Sequence, residues 1–169
     1  MSEAAVSIRQ ATGADRPGVV ALASRLAEGV APWRDQQEAG NAGRRWLESS
    51  LDDAAAGTGA VFLAVDEAAC AAPASSTAGG VVGVLSIHPS RHFTGELDGY
   101  IGELVVAEHA SRRGIGRALV EAADTWARDH GLAHLTLHTG SYNTSARAFY
   151  AALGFAEEEV RHTRQVNPQ

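Results

Sequence analysis

At 169 residues with 45% hydrophobic side chains, the chain is long enough for one domain with a real core. Its net charge of −6 argues against a general nucleic-acid binder, and a single cysteine, Cys70, excludes an internal disulfide and suits a reducing compartment. No signal-peptide pattern opens the chain and no apolar run reaches the ~18 residues of a membrane helix, so a cytoplasmic protein without a membrane partner is expected.

In chain order, 6–11 alternates and reads as a first strand. Asp15 is placed to cap the next helix, with Pro17 in its first turn, where a missing N–H costs little. Val19, Leu22, Ala23 and Leu26 form an apolar stripe ending near Gly29. A second helix is expected over 35–51, with Trp46 and Leu47 inward. Residues 60–66 read as a strand. The low-complexity stretch 67–78, which holds Cys70, reads as a mobile hairpin loop, and 79–88 as the returning strand. A polar turn at 89–96 leads into a strand over 97–106. Beyond Gly131, a helix stop, come a short strand at 134–138 and a helix within 143–155. The segment 157–166 reads as a terminal strand. The order describes a mixed α/β sheet in a single domain, 1–169.

The run Ser111-Arg112-Arg113-Gly114-Ile115-Gly116-Arg117 marks the entry to an amphipathic helix. Ile115, Leu119, Ala122, Ala123 and Trp126 share one face; Arg117, Glu121, Asp124 and Arg128 share the other. A helix start presents unpaired N–H groups and the positive dipole end, which favour phosphate. Gly114 and Gly116 let a ligand approach the backbone, and the arginines add charge-assisted hydrogen bonds. An ordinary helix start with surface arginines fits the same residues. The P-loop pattern is absent, and all 14 basic residues are arginine. A dinucleotide fingerprint lacks its third glycine, because position 119 is leucine.

The flanking elements narrow the choice. A strand-like Tyr100-Ile101-Gly102-Glu103-Leu104-Val105-Val106 precedes the turn. After the helix come His134-Leu135-Thr136-Leu137-His138 and a helix ending in Leu153-Gly154-Phe155. On these residues, 100–155 resembles the core of the GNAT superfamily, the acetyl-CoA-dependent N-acetyltransferases. The family's phosphate turn, Gln/Arg-x-x-Gly-x-Gly/Ala, matches Ser111 to Gly116, with Ser111 in place of the usual Gln or Arg. The family's Asn-x-x-Ala-x-x-Phe/Leu-Tyr and Gly-Phe match Asn143, Ala146, Phe149, Tyr150, Gly154 and Phe155.

The resemblance implies a mostly antiparallel twisted sheet of about six or seven strands with about four helices. It implies acetyl-CoA as co-substrate and a primary amine, on a small molecule or a peptide, as acceptor; homodimers are frequent among such proteins. The pyrophosphate would rest on Ser111, Arg112, Arg113, Gly114, Ile115, Gly116 and Arg117. Leu104, Val105 and Val106 would offer backbone groups to pantetheine, where their strand splays at a bulge from 134–138. Asn143 would cap its helix and, with Ala146, border the pantetheine.

Acetyl transfer needs an amine freed of its proton, donors for the developing oxyanion and a proton for the thiolate. The resemblance makes Tyr150 the general acid; a core aromatic beside Phe149 is the alternative. It makes Glu103 the general base, with a structural or acceptor-orienting carboxylate as the alternative. Simple alternation puts Glu103 on the face of Ile101 and Val105. Glu96, Asp98 and Glu103 together fit a cationic acceptor.

His130, His134 and His138 cross a helix end and a strand, so they share no helical face and no metal is expected. His138 ends its strand near the expected cleft; His88, His92 and His109 read as loop residues. Trp33 is a candidate for the acceptor wall and Trp46 for the core. Two other classes remain open: a non-catalytic acyl-CoA-binding module on the same fold, and a nucleotide binder using the glycine turn.

Overall fold

A computed structural model describes residues 6–70 and 78–166. Five strands form one sheet in the order β1 (Val6–Gln10), β2 (Ala60–Asp66), β3 (Val81–Arg91), β4 (Leu97–Val106) and β5 (Leu135–Leu137). The first three pairings are antiparallel; β5 joins β4 in parallel. The helices are α1 (Arg16–Ala21), α2 (Gln36–Ala55), the single turn α3 (Glu67–Cys70), α4 (Ile115–Asp129) and α5 (Thr144–Ala152). The architecture is the mixed α/β one expected, with five strands among the described residues where six or seven were expected.

Burial follows from the pattern of side chains. All seven residues of β2 are buried, as a central strand covered on both faces requires. Helix α4 buries Ile115, Leu119, Ala123 and Ala127, one residue every fourth position. A Cβ on Gly83 would meet Ile115 and Leu119, so that residue of β3 faces α4. Alternation turns Ser86 and His88 to the opposite face, toward α2. The Asp35 carboxylate starts α2 by accepting from the N–H groups of Gln37 (2.9 Å) and Glu38 (3.0 Å).

Several expectations need correction. The segment 157–166 forms no strand. Its three glutamates are spent on side-chain ion pairs with Arg147, His92 and His138, and Val160 and Val166 stay exposed. Helix α2 runs four residues past Leu51. On it Leu47 is fully buried and Trp46 is 58% exposed, because neighbours on a helix point about 100° apart. His88 lies within β3, not in a loop. Asp15 does not cap α1 with its side chain. Its carboxylate reaches back to the N–H and hydroxyl of Thr12 (both 2.8 Å) and pairs with Arg9. Within the expected hairpin loop, Glu67–Cys70 is helical. Residues 71–77 and the Cys70 side chain lie outside the described residues. Among the described residues, no helix is long and apolar enough to cross a membrane.

Candidate active site

The ladder between β4 and β5 is three residues long: Gly99 with Leu135, Tyr100 with Thr136 and Ile101 with Leu137. Past Ile101, β4 continues beside β3 alone, which leaves its other edge open. Ile87 faces Ile101 and Leu85 faces Leu104, so Ser86 alone stands opposite both Gly102 and Glu103. That is a β-bulge, at the point where the two strands part.

The bulge changes which groups point where. Paired residues share a face of the sheet. Ile101 therefore lies on the α4 face with Ile87, and Glu103 lies on the opposite face with Ser86 and Tyr100. The expected common face of Glu103 and Ile101 is thus corrected: the extra residue shifts the alternation. The backbone also alternates. Ala107 N–H donates to the Val82 carbonyl (2.8 Å) and Glu103 N–H to Ser86 Oγ (3.0 Å). Val105 accordingly turns its peptide groups to β3, and Leu104 and Val106 turn theirs to the open edge. Arg25 Nη1 already donates to the Val106 carbonyl (2.8 Å).

The glycine turn borders the same region. Arg112 (φ 64°) and Gly114 (φ 77°) adopt left-handed backbone, and no side chain caps α4. The first-turn N–H groups of Ile115, Gly116 and Arg117 thus have no intrahelical acceptor. A Cβ on Gly114 would meet nothing within 4 Å, whereas one on Gly116 would sit 3.1 Å from Phe149 Cζ. The two glycines therefore differ in purpose. Gly114 makes the open turn; Gly116 lets α5 pack against α4. Ser111 Oγ donates to its own turn, at the Ala107 carbonyl (3.2 Å). Arg113 Nη1 lies 3.5 Å from Asp66 at the end of β2, and Arg112 and Arg117 are exposed.

Helix α5 begins where Asn143 Oδ1 accepts from Ala146 N–H (3.1 Å), a cap that accounts for both residues. Tyr150 sits between the rings of Phe149 (5.2 Å) and Phe155 (5.5 Å). Burial pushes its phenol up to about 12, so it keeps its proton at any physiological pH.

On the α2 face, a cleft of about 300 Å³ opens between α2 and the bulge. Trp46, Ser49, Ser50 and Asp53 form one wall, and His88, Tyr100, Gly102 and Glu103 the other. Glu103 is 8% exposed. Its Oε2 accepts from Ser50 Oγ (3.1 Å) and from Ser86 Oγ. Oε1 has no hydrogen bond, yet no buried polar side-chain atom among the described residues lacks a partner. Oε1 is therefore open to the cleft. Tyr100 Oη is bonded to His138 Nδ1 (3.0 Å), and burial raises its pKa, helped by the Glu103 charge. A second hollow, about 410 Å³ between α1 and the first half of α2, contains no carboxylate and no residue of the open β4 edge.

The expected acidic trio separates. Asp98 is buried and pairs with His134 Nδ1 (3.0 Å), and Glu96 accepts from Thr94 Oγ1 (3.2 Å). Only Glu103 lines the cleft, where Asp53 of α2 joins it. Trp33 packs edge-on against Tyr142 (5.6 Å), outside the cleft wall that Trp46 supplies. No cluster of three or more metal-ligating side chains occurs among the described residues.

The open edge of β4 and the acidic cleft thus meet at the bulge, and the uncapped glycine turn follows at the far end of the same strand. The family model described as Acetyltransferase (GNAT) family matches residues 30–155, a span that contains all three. The chain belongs to the GNAT acetyltransferase family. It is similar to the aminoglycoside N(6')-acetyltransferase type 1 of Stenotrophomonas maltophilia, at 30% identity over 94% of this chain and 92% of that protein. A solved aminoglycoside N-acetyltransferase in complex with CoA superposes with a TM-score of 0.69 at 19% identity, covering 98% of each chain. Glucosamine-6-phosphate N-acetyltransferase from Arabidopsis thaliana superposes with a TM-score of 0.65 at 14% identity, covering 96% of this chain and 99% of that one. These last two likenesses establish the GNAT fold.

Within this acetyltransferase, the residues that sequence reasoning missed are Ser50, Asp53, Ser86 and Tyr100. None belongs to a motif. They reach the cleft through strand register and the approach of α2. The one legible hint was Gly102 beside Glu103, since glycine inside a strand marks a bulge.

Proposed function

We propose that this acetyltransferase moves the acetyl group of acetyl-CoA to a primary amine of a polycationic small molecule, with aminoglycosides as the leading acceptor class. The observation that carries this reading is the open Oε1 of Glu103, in a cleft beside the gap between β4 and β5. A carboxylate with few competing partners attracts an ammonium group and then takes its proton. Asp53 adds a second negative charge for an acceptor with several amines. The curated relative named for aminoglycoside N(6')-acetylation supports the same class.

In this reading the diphosphate of acetyl-CoA rests on the N–H groups of Ile115, Gly116 and Arg117, with Ser111, Arg112, Arg113 and Gly114 shaping the turn. The pantetheine arm lies along β4 as a false strand, bonded to the outward groups of Leu104 and the outward N–H of Val106, with Asn143 and Ala146 at its other side. Val105 supports that edge from within the sheet. Glu103 is the base, and Tyr150 donates a hydrogen bond to the leaving sulfur. Holding thioester and amine in line supplies several kcal/mol of the barrier, up to about 7–11 in the best oriented cases.

Thiol release from acetyl-CoA, measured against aminoglycosides, polyamines, amino acids and lysine peptides, tests the reading. Turnover is expected with polycationic amines, and Glu103→Gln is expected to lower kcat by about 10²-fold or more. Tight acetyl-CoA binding without turnover on any amine would instead identify a binding module. A thermal shift with ATP or NAD, absent with CoA, would identify a nucleotide site.

A further inference from the structure

We infer that Tyr100 and His138 form the proton outlet of the acceptor cleft. The inference rests on the transferase reading, because it asks where the acceptor's proton goes.

Glu103 is 8% exposed, so a proton taken from the substrate must be passed on in every turnover. Of the two serines on Oε2, the buried Ser86 offers no exit. Ser86 Oγ is already engaged by the N–H and the carboxylate of Glu103 itself. Tyr100 lines the same cleft, on the same face of the sheet, and its hydroxyl is bonded to His138 Nδ1 at 3.0 Å. The His138 side chain is 68% exposed. One end of the pair therefore touches the cleft and the other touches solvent. With hydrogen on Nε2, which faces the Glu159 carboxylate 3.9 Å away, Nδ1 accepts from the Tyr100 hydroxyl.

The surrounding charges suit that direction of transfer. Tyr100 faces His88 of β3, Glu103 of β4, Asp53 of α2 and Arg161 of the terminal segment. His138 faces Glu159.

The protons balance. An ammonium acceptor begins with three. The first goes to Glu103 and then, through water, to Tyr100 Oη as the tyrosine's own proton moves to His138 Nδ1; the imidazolium releases it to solvent. The free amine then attacks the thioester carbon, the C–N bond forms and the C–S bond breaks. The second proton ends on the coenzyme A sulfur, and the third stays on the amide.

The test is turnover of acetyl-CoA and a reactive amine in dilute, poorly basic buffer. His138→Ala is expected to lower kcat about tenfold without changing KM for acetyl-CoA, and added imidazole is expected to restore it. Tyr100→Phe is expected to lower kcat similarly, and combining the two is expected to add little. An unchanged kcat in His138→Ala, or a loss that imidazole does not repair, overturns the outlet. Wild-type protein inactive on every amine overturns the transferase reading itself, so the two failures are distinct.

Discussion

Ser86 grips Glu103 from two sides: its hydroxyl accepts from the Glu103 N–H at 3.0 Å and donates back to the carboxylate of the same residue. One buried serine thereby satisfies the backbone group that the bulge leaves without a strand partner and also sets the direction of the carboxylate. Ser86→Ala removes both contacts. The orphaned N–H is expected to lower stability by about 1–3 kcal/mol. The loosened carboxylate is expected to lower kcat about tenfold while KM for acetyl-CoA stays constant. Ser86→Thr keeps the hydroxyl and is expected to keep most of the activity. Urea denaturation and steady-state kinetics check both parts, and an alanine variant with wild-type midpoint and kcat would falsify this double role.

The two glycines of the phosphate turn separate by experiment. Gly114 has φ 77° with open space around it, so Gly114→Ala meets no neighbour but strains the backbone by about 1–2 kcal/mol. It is expected to weaken CoA binding modestly. Gly116→Glu drives a side chain against Phe149 and puts negative charge at the helix start. CoA affinity is expected to fall more than tenfold, with a drop in melting temperature. Calorimetric titration with CoA measures the first effect and a thermal melt the second. Unchanged affinity in Gly116→Glu removes the diphosphate from this turn.

What the sequence revealed of this molecule tracks the range of the interactions involved. The α4 stripe, the Asn143 cap and the glycine turn are local, fixed by residues within a few positions of one another, and each stands where the pattern put it. The bulge at Gly102 and Glu103 depends on Ser86 of β3, 17 residues from Glu103, and simple alternation therefore grouped Glu103 wrongly with Ile101 while placing it rightly with Val105. Trp46 shows the same limit. Its helix was legible, but whether Trp46 or Leu47 turned inward depended on how α2 crosses the sheet. Ser50 and Asp53 join the cleft only through that crossing. The expected terminal strand did not form: 157–166 stays exposed, and its three consecutive glutamates reach arginine and histidine side chains.

Tyr150 is protonated throughout the working range of the enzyme, because desolvation pushes its phenol up to about 12. It serves as a donor and not as a base. Tyr150→Phe removes that donor and leaves the ring between Phe149 and Phe155. A fall in kcat of about tenfold is expected, larger than any change in KM for acetyl-CoA. The shape of the pH–rate profile below pH ~10 is expected to stay as in the wild type, because no titration of Tyr150 contributes there. Loss of an alkaline limb in the variant would show that the phenol titrates in the free enzyme.

His134 gives the fold a pH dependence of its own. Its hydrogen bond to buried Asp98 raises its pKa above 6.5, the Asp98 charge acting in the same direction. A raised folded-state value means that the stabilisation is fully present below the unfolded value of 6.5 and is lost as pH rises through the folded value. The pair joins β4 to the start of β5, at the paired end of the two strands. His134→Gln is expected to flatten the stability curve in this window. Melting temperatures at about pH 5.5 and pH 8 would differ more for the wild type than for the variant, with the wild type favoured on the acid side. Because His134 is exposed, salt is expected to shrink the difference. An equal pH dependence in both proteins would leave Asp98 held by groups other than this imidazole.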